Sequence, residues 1–177
     1  MEIWRENRIV YEGRIVRLRT GDAELDDGRL AYREVVEHPG GVCVVPFTGH
    51  SVILIRQYRI ALGQYIIEAP AGKLEPGDSP LSRGEAELEE EIGYRAGRML
   101  PIGRIYSSVG FCSEIIHLFL GLDLKKTAQR LEEDERIELV ELPLDEMREG
   151  LRTHRFEDAK TVAGLYALLD YLTETTA

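Results

Sequence analysis

The chain has 177 residues, 44% of them apolar and 31% charged, with a formal net charge of −10. That length fits one domain with a real hydrophobic core, and the acidity excludes a general binder of nucleic-acid polymers, since no basic excess is present to neutralise backbone phosphates. Cys43 and Cys112 are too few and too far apart for a disulfide framework or a Cys-rich zinc site. No apolar run approaches the ~20 residues of a membrane span, and the polar opening Trp4-Arg5-Glu6-Asn7-Arg8 lacks a signal-peptide pattern, so a cytoplasmic protein without a membrane partner is expected.

Residues 1–40 read as a run of strands. Ile9-Val10-Tyr11 and Arg14-Ile15-Val16-Arg17-Leu18-Arg19 carry strand-like patterns, and Asp26-Asp27-Gly28 is a hairpin signal between Ala23–Leu25 and Leu30–Val36. His38-Pro39-Gly40-Gly41 marks a break. These residues are expected to form an antiparallel N-terminal extension to a main domain over 41–177. Such strands cannot bury both faces alone, and a second copy of the chain could cover them.

Val42–Phe47 and Ser51–Arg56, joined by Thr48-Gly49-His50, are rich in Val and Ile and read as core strands. Cys43 belongs there as a small core residue. Arg59, just past the second strand, is a candidate contact for phosphate or carboxylate, because a guanidinium matches those groups with two parallel hydrogen bonds. An ordinary surface arginine fits the position equally. Tyr65–Gly72 reads as a short strand entering a loop.

The stretch Gly72–Tyr94 organises the chain. Gly72, Pro76, Gly77 and Pro80 make its first part a loop, and a helix follows. Asp78 or Ser79 is the expected N-cap, Pro80 suits the first turn, and Gly93 suits the C-cap. Leu81, Leu88 and Ile92 are placed to form one apolar stripe. The helix also carries Glu85, Glu87, Glu89, Glu90 and Glu91, of which Glu87, Glu90 and Glu91 share a face. Like charges at these spacings cost a few tenths of a kcal/mol per pair, roughly, which a divalent cation would offset. Hard oxygen donors suit Mg²⁺ or Mn²⁺, and Mg²⁺ commonly joins carboxylates to substrate phosphates, so a polyphosphate is the expected substrate. A solvated acidic face accounts for the same run.

This loop and helix resemble the Nudix box: Gly72, Glu87, Leu88, Glu90, Glu91, Gly93 and Tyr94 fall in its register without a gap. Two positions depart from the pattern, with Asp78 in place of the first Glu and Ala86 in place of Arg. Arg83, one turn before Glu87, is placed to supply a substitute cation. Glu68-Ala69-Pro70-Ala71-Gly72 resembles the lead-in of the ADP-ribose pyrophosphatase branch of Nudix hydrolases. That resemblance implies the Ala71 carbonyl, Glu87, Glu90 and Glu91 as metal ligands. It also implies Arg59 as a substrate-binding arginine and Glu68 as a carboxylate on the substrate or metal side.

Met99–Ser107 and Glu114–Leu122 read as two further strands. The link Ser108-Val109-Gly110-Phe111-Cys112-Ser113 is similar to that branch's loop, which ends at a substrate-side Glu114, although Val109 stands where the branch has proline. His117, inside the second strand, reads as a packing residue. By composition Glu132-Glu133-Asp134-Glu135 is a solvated acidic turn before the strand Ile137–Glu141. The resemblance instead implies a mobile loop bringing a catalytic carboxylate over the metals. Glu133 and Glu135 are its two candidates, the preferred assignment being Glu133 as base and Glu135 as metal ligand. Leu144–Gly150 is expected to be a short helix, and Asp158–Thr173 a longer one packing Val162, Leu165, Tyr166, Leu168 and Leu169 against the sheet.

The resemblance implies an α+β fold, a Nudix-type α/β/α sandwich with a mixed sheet and the N-terminal strand extension. It further implies Mg²⁺- or Mn²⁺-dependent hydrolysis of the pyrophosphate of a nucleoside diphosphate sugar, with ADP-ribose favoured, and a homodimer with swapped N-terminal strands. Val109 leaves another substrate open, such as GDP-mannose or a dinucleotide. Asp78 and Ala86 leave open a nucleotide-binding sensor with weak turnover.

Overall fold

A computed structural model describes residues 1–133 and 135–176. The chain forms two compact units, one of residues 1–40 with 106–115 and one of 41–105 with 116–177.

The first unit is a three-stranded antiparallel meander of β1 (Ile3–Glu12), β2 (Arg17–Glu24) and β3 (Leu30–Glu37). The expected Asp-Asp-Gly turn closes its second hairpin, with the Leu25 N–H donating to the Arg29 carbonyl at 2.8 Å. The segment 106–115 is tied to β3 by the Val36 N–H to the Phe111 carbonyl at 2.7 Å and the Ser113 N–H to the Val36 carbonyl at 2.9 Å. Cross-strand ion pairs hold the surface, among them Arg33 with Glu2 and Arg19 with Glu37. Ile3, Tyr11, Leu30 and Tyr32 remain exposed, so the meander buries little of its own apolar surface.

The second unit carries two sheets. β4 (Gly41–Pro46), β7 (Ala71–Lys73), β8 (Tyr94–Tyr106) and β9 (Ile115–Lys126) form one, in the order β7-β4-β9-β8, with β4 and β9 parallel. β5 (Ser51–Arg59), β6 (Gln64–Glu68) and β10 (Ile137–Pro143) form the other, in the order β10-β5-β6. Among the described residues three helices complete it: α1 (Pro80–Ile92), α2 (Leu144–Arg152) and α3 (Ala159–Thr176).

Alternation along the strands sorts the core into two layers. Val42, Val44, Ile53 and Ile55 pack with Leu88 and Ile92 of α1, while Cys43, Val45, Val52 and Leu54 pack with Met147 of α2 and Leu165 and Leu168 of α3. Helices thus cover opposite faces of the strands, giving the expected α/β/α sandwich with a mixed sheet. The buried Cys43 is a core residue as expected, and burial pushes its thiol up to about 12. No helix among the described residues is long and apolar enough to cross a membrane.

Two expected core positions lie outside it. The inward face of α1 is Gly84, Glu87, Leu88, Glu91 and Ile92, and Leu81, in the first turn ahead of that stripe, is exposed. Tyr166 follows Leu165 directly and turns outward, because neighbours on a helix do not share a face. Strand β8 starts at Tyr94, ahead of the expected Met99, since the chain passes into it straight from the cap of α1.

Candidate active site

The site is built around α1 and the strand ends that face it. Ser79 is the N-cap, its hydroxyl accepting the Ser82 N–H at 3.1 Å, and Pro80 opens the helix. Gly93 closes it at φ 68, with its N–H donating to the Glu89 carbonyl at 3.1 Å. A side chain at Gly93 would meet both that left-handed backbone and the Gln129 nitrogen, 2.7 Å from where a Cβ would stand. The segment after β9 wraps this end: the Arg130 N–H donates to the Glu90 carbonyl at 2.9 Å, and Gln129 Nε2 to the Glu91 carbonyl at 2.7 Å.

Because Glu87, Leu88 and Glu91 recur at helical spacing, the face that buries Leu88 also carries two carboxylates inward. Glu87 is 4% exposed and Glu91 3%. Burial pushes Glu87 up to about 7, against the opposing charge of Arg83 and with the nearby charges of Glu90 and Glu135 adding to the rise. Burial pushes Glu91 up to about 8, with Glu87, Glu135 and Glu68 adding, while the Ala71 N–H donating to Oε2 at 2.9 Å works against the rise. A Cβ at position 72 would lie 1.5 Å from Glu87 Oε1, so only glycine leaves room for that carboxylate.

Arg83 takes the place expected of it. Its guanidinium is ion-paired with Glu87 and lies 3.7 Å from Glu90, while its buried Nε has no hydrogen-bond partner among the described residues. Glu90 is the more exposed of the three clustered carboxylates. On the outer face Glu89 binds Arg95 through two hydrogen bonds of 2.7 and 3.0 Å and lies 3.2 Å from Arg130.

A second cluster stands beside the first. Glu68, at the end of β6, is 1% exposed and takes a hydrogen bond on each oxygen: Arg59 Nε at 2.7 Å on Oε1 and Lys160 Nζ at 2.7 Å on Oε2. Lys160 also lies 3.0 Å from Asp158. Burial works against its ammonium, but Glu68 and Asp158 outweigh that and hold it above the ordinary lysine range. The side chain of Arg59 is 38% exposed; among the described residues its terminal nitrogens make no hydrogen bond, and the charges of Glu91 and Asp158 also act on the guanidinium.

Glu135 caps its own turn, accepting the Glu132 N–H at 2.9 Å, and its charge reaches both Glu87 and Glu91. Glu133 is exposed. Asp134, between them, lies outside the described residues. Glu114 belongs to the first unit, where its carboxylate lies 3.3 Å from His38 Nδ1. That nitrogen already accepts the Gly40 N–H at 3.0 Å.

The structure therefore brings Ala71, Glu87, Glu91, Arg59, Glu68 and Glu135 into one neighbourhood of the second unit. Sequence reasoning missed Lys160 and Thr161, because α3 looked like a packing helix. The available signal was Asp158 followed three residues later by Thr161, an N-cap spacing with a lysine inside the first turn.

The donor chemistry fits a hard divalent cation. Two nearly buried carboxylates, of which only Glu87 is paired with an arginine, are raised by burial, and oxygen donors of this type suit Mg²⁺ or Mn²⁺. Among the described residues no three His, Cys, Asp or Glu side chains converge to close a metal site by themselves. Backbone carbonyl, water or substrate oxygens would have to complete it.

The NUDIX domain profile matches residues 37–165. The chain is 41% identical to a methanol dehydrogenase activator of Bacillus methanolicus and 37% identical to an ADP-ribose pyrophosphatase of Bacillus subtilis, in each case over 90% of this chain and 88% of the relative. It is 35% identical to a GDP-mannose pyrophosphatase of Cronobacter sakazakii over 84% of both chains. A crystal structure of an ADP compounds hydrolase superposes with a TM-score of 0.87 at 23% identity, covering 98% of this chain and 95% of the other, a likeness of fold. The chain belongs to the NUDIX domain family.

Proposed function

We propose that this protein is a divalent-cation-dependent pyrophosphatase of nucleoside diphosphate sugars, with ADP-ribose the favoured substrate and AMP and ribose 5-phosphate the products. The observation that carries the reading is the pair Glu87 and Glu91, buried together beside Ala71 and Gly72, with Arg83 paired to Glu87 alone.

In this reading Glu87 and Glu91 hold the cation, Mg²⁺ or Mn²⁺, with Glu90 and the Ala71 carbonyl contributing. When bound, the cation offsets diphosphate charge and acidifies a water. Arg59 meets a phosphate through its free terminal nitrogens, and Glu68 fixes the plane of that guanidinium. A carboxylate of the 133–135 loop takes the proton from the attacking water, with Glu133 assigned as base and Glu135 as the residue facing the metal carboxylates. The new oxygen–phosphorus bond forms as the bond to the bridging oxygen breaks, and that oxygen leaves on the second phosphate. Glu114, from the segment 106–115, is assigned to the substrate. The 1–40 meander, with its exposed Ile3, Tyr11, Leu30 and Tyr32, is assigned to a homodimer with swapped strands around the 41–177 domain. A cytoplasmic location completes the reading.

The similarity to a GDP-mannose pyrophosphatase, together with Val109, supports GDP-mannose as a second candidate substrate. The test is release of AMP from ADP-ribose with and without Mg²⁺, run beside GDP-mannose and beside Glu91→Gln. Cation-dependent turnover of ADP-ribose that Glu91→Gln abolishes is expected. Preference for GDP-mannose would reassign the substrate. Binding without turnover of either would leave a nucleotide sensor.

A further inference from the structure

We propose that Lys160, on the first turn of α3, is a positioning residue for substrate binding, acting through Glu68 to set the guanidinium of Arg59. This rests on the pyrophosphatase reading and adds to it a residue that neither the Nudix box nor its lead-in contains.

Glu68 has two oxygens and two cationic partners, one each, at 2.7 Å. The arrangement is asymmetric. Lys160 is 13% exposed and anchored again at 3.0 Å by Asp158, whereas Arg59 is 38% exposed. The lysine is the fixed partner and the arginine the presented one. Two carboxylates, Glu68 and Asp158, are matched by two cations, Arg59 and Lys160, and the charge of Glu91 also reaches Arg59. Removing Lys160 leaves Glu68 and Asp158 sharing a low-dielectric pocket with a single cation. Arg59 would then be drawn inward toward the unpaired oxygen, and its terminal nitrogens would lose the orientation in which they are free.

The same turn of α3 grips the neighbouring backbone. The Thr161 hydroxyl accepts the Ala69 N–H at 2.8 Å, and Asp158 caps the helix by accepting the Thr161 N–H at 3.0 Å. Two residues beyond Ala69, the Ala71 N–H donates to Glu91 at 2.9 Å. Lys160 therefore sits where one helix end fixes the exit of β6, and the arginine it steadies points at solvent beside the buried carboxylates of α1.

The test is a steady-state comparison on ADP-ribose of wild type, Lys160→Met, Arg59→Met and the double variant, with thermal melts alongside. The expected result is a KM raised about tenfold in Lys160→Met with kcat within about twofold, as loss of one charge-assisted hydrogen bond in binding would give. The double variant should match Arg59→Met alone, because the lysine acts through the arginine. A lowered melting temperature with unchanged KM, or a KM effect that multiplies with that of Arg59→Met, would overturn the proposal. Should Lys160→Met fail to fold, Lys160→Arg decides: it keeps the charge but not the compact ammonium between two carboxylates, so KM should still rise, and an unchanged KM would overturn the proposal. A wild type inactive on ADP-ribose and on GDP-mannose would remove the pyrophosphatase reading and this proposal with it. An active wild type with an unaltered variant removes the proposal alone.

Discussion

One helix presents the same side chain to two opposite environments. Glu89, on the outer face of α1, has Arg95 and Arg130 beside it, and the hydrogen bonds from Arg95 hold its carboxyl below the ordinary range. Glu87 and Glu91, on the inner face, are pushed up to about 7 and about 8 by burial. Composition makes these three residues equivalent, and position on a 3.6-residue period separates them. The outer carboxylate is matched by two arginines of the chain itself, Arg95 and Arg130. The inner pair has Arg83 on Glu87 only, so a bound cation would offset the burial of the two carboxylates together.

The largest expected effect is on the inner face. Glu91→Gln should lower turnover by roughly 10³-fold, a loss of about 4 kcal/mol of transition-state stabilisation. It should leave the fold intact, since the amide oxygen can still accept the Ala71 N–H. Gly72→Ala should come next. Its methyl would occupy the space of the Glu87 carboxylate, so turnover should drop about 10²-fold even though the position lies outside the helix. Kinetics and melts on purified variants check both.

Arg83→Ala should be milder, with cation affinity and turnover falling about tenfold, the usual scale for a residue that orients a metal ligand. An unchanged affinity would show that Glu87 is held by its burial alone.

A pH series separates the two faces without touching the chemistry. In cation-free protein Glu87 and Glu91 have folded-state values raised from 4.5 to about 7 and about 8. The folded state therefore binds their protons more tightly than the unfolded state does. Their favourable contribution is complete below the unfolded value of 4.5 and is lost as pH climbs through 7 and 8. The melting temperature should fall over that window, Glu91→Gln should flatten the fall, and Mg²⁺ should offset it. Glu89→Gln is the smallest effect: turnover within about twofold of wild type and the pH slope unchanged.

Much of this contrast was legible in the sequence, since caps and periodicity are local. Ser79, Pro80 and Gly93 announce the helix, and Arg83 stands four residues before Glu87, where a substitute cation is expected. The depth of burial was not legible. Whether Glu90 turns inward with Glu87 depends on where α1 meets the strands, and the exposure of Leu81 shows that spacing alone misplaces a residue ahead of that contact. The Glu68 cluster was half legible: Arg59 and Glu68 stand close in sequence, but Lys160 reaches Glu68 across 92 positions of chain. An unmatched carboxylate can be seen along a sequence, whereas the lysine that answers it from a distant helix is found only in three dimensions.

The most direct test of the central claim is a Mn²⁺ titration of the purified protein, followed by electron paramagnetic resonance, in wild type, Glu91→Gln and Glu89→Gln. The inner-face assignment predicts that Glu91→Gln weakens Mn²⁺ binding by tenfold or more, as roughly expected for loss of a ligand, while Glu89→Gln binds as wild type does. Equal binding in wild type and Glu91→Gln, or a loss confined to Glu89→Gln, would contradict it.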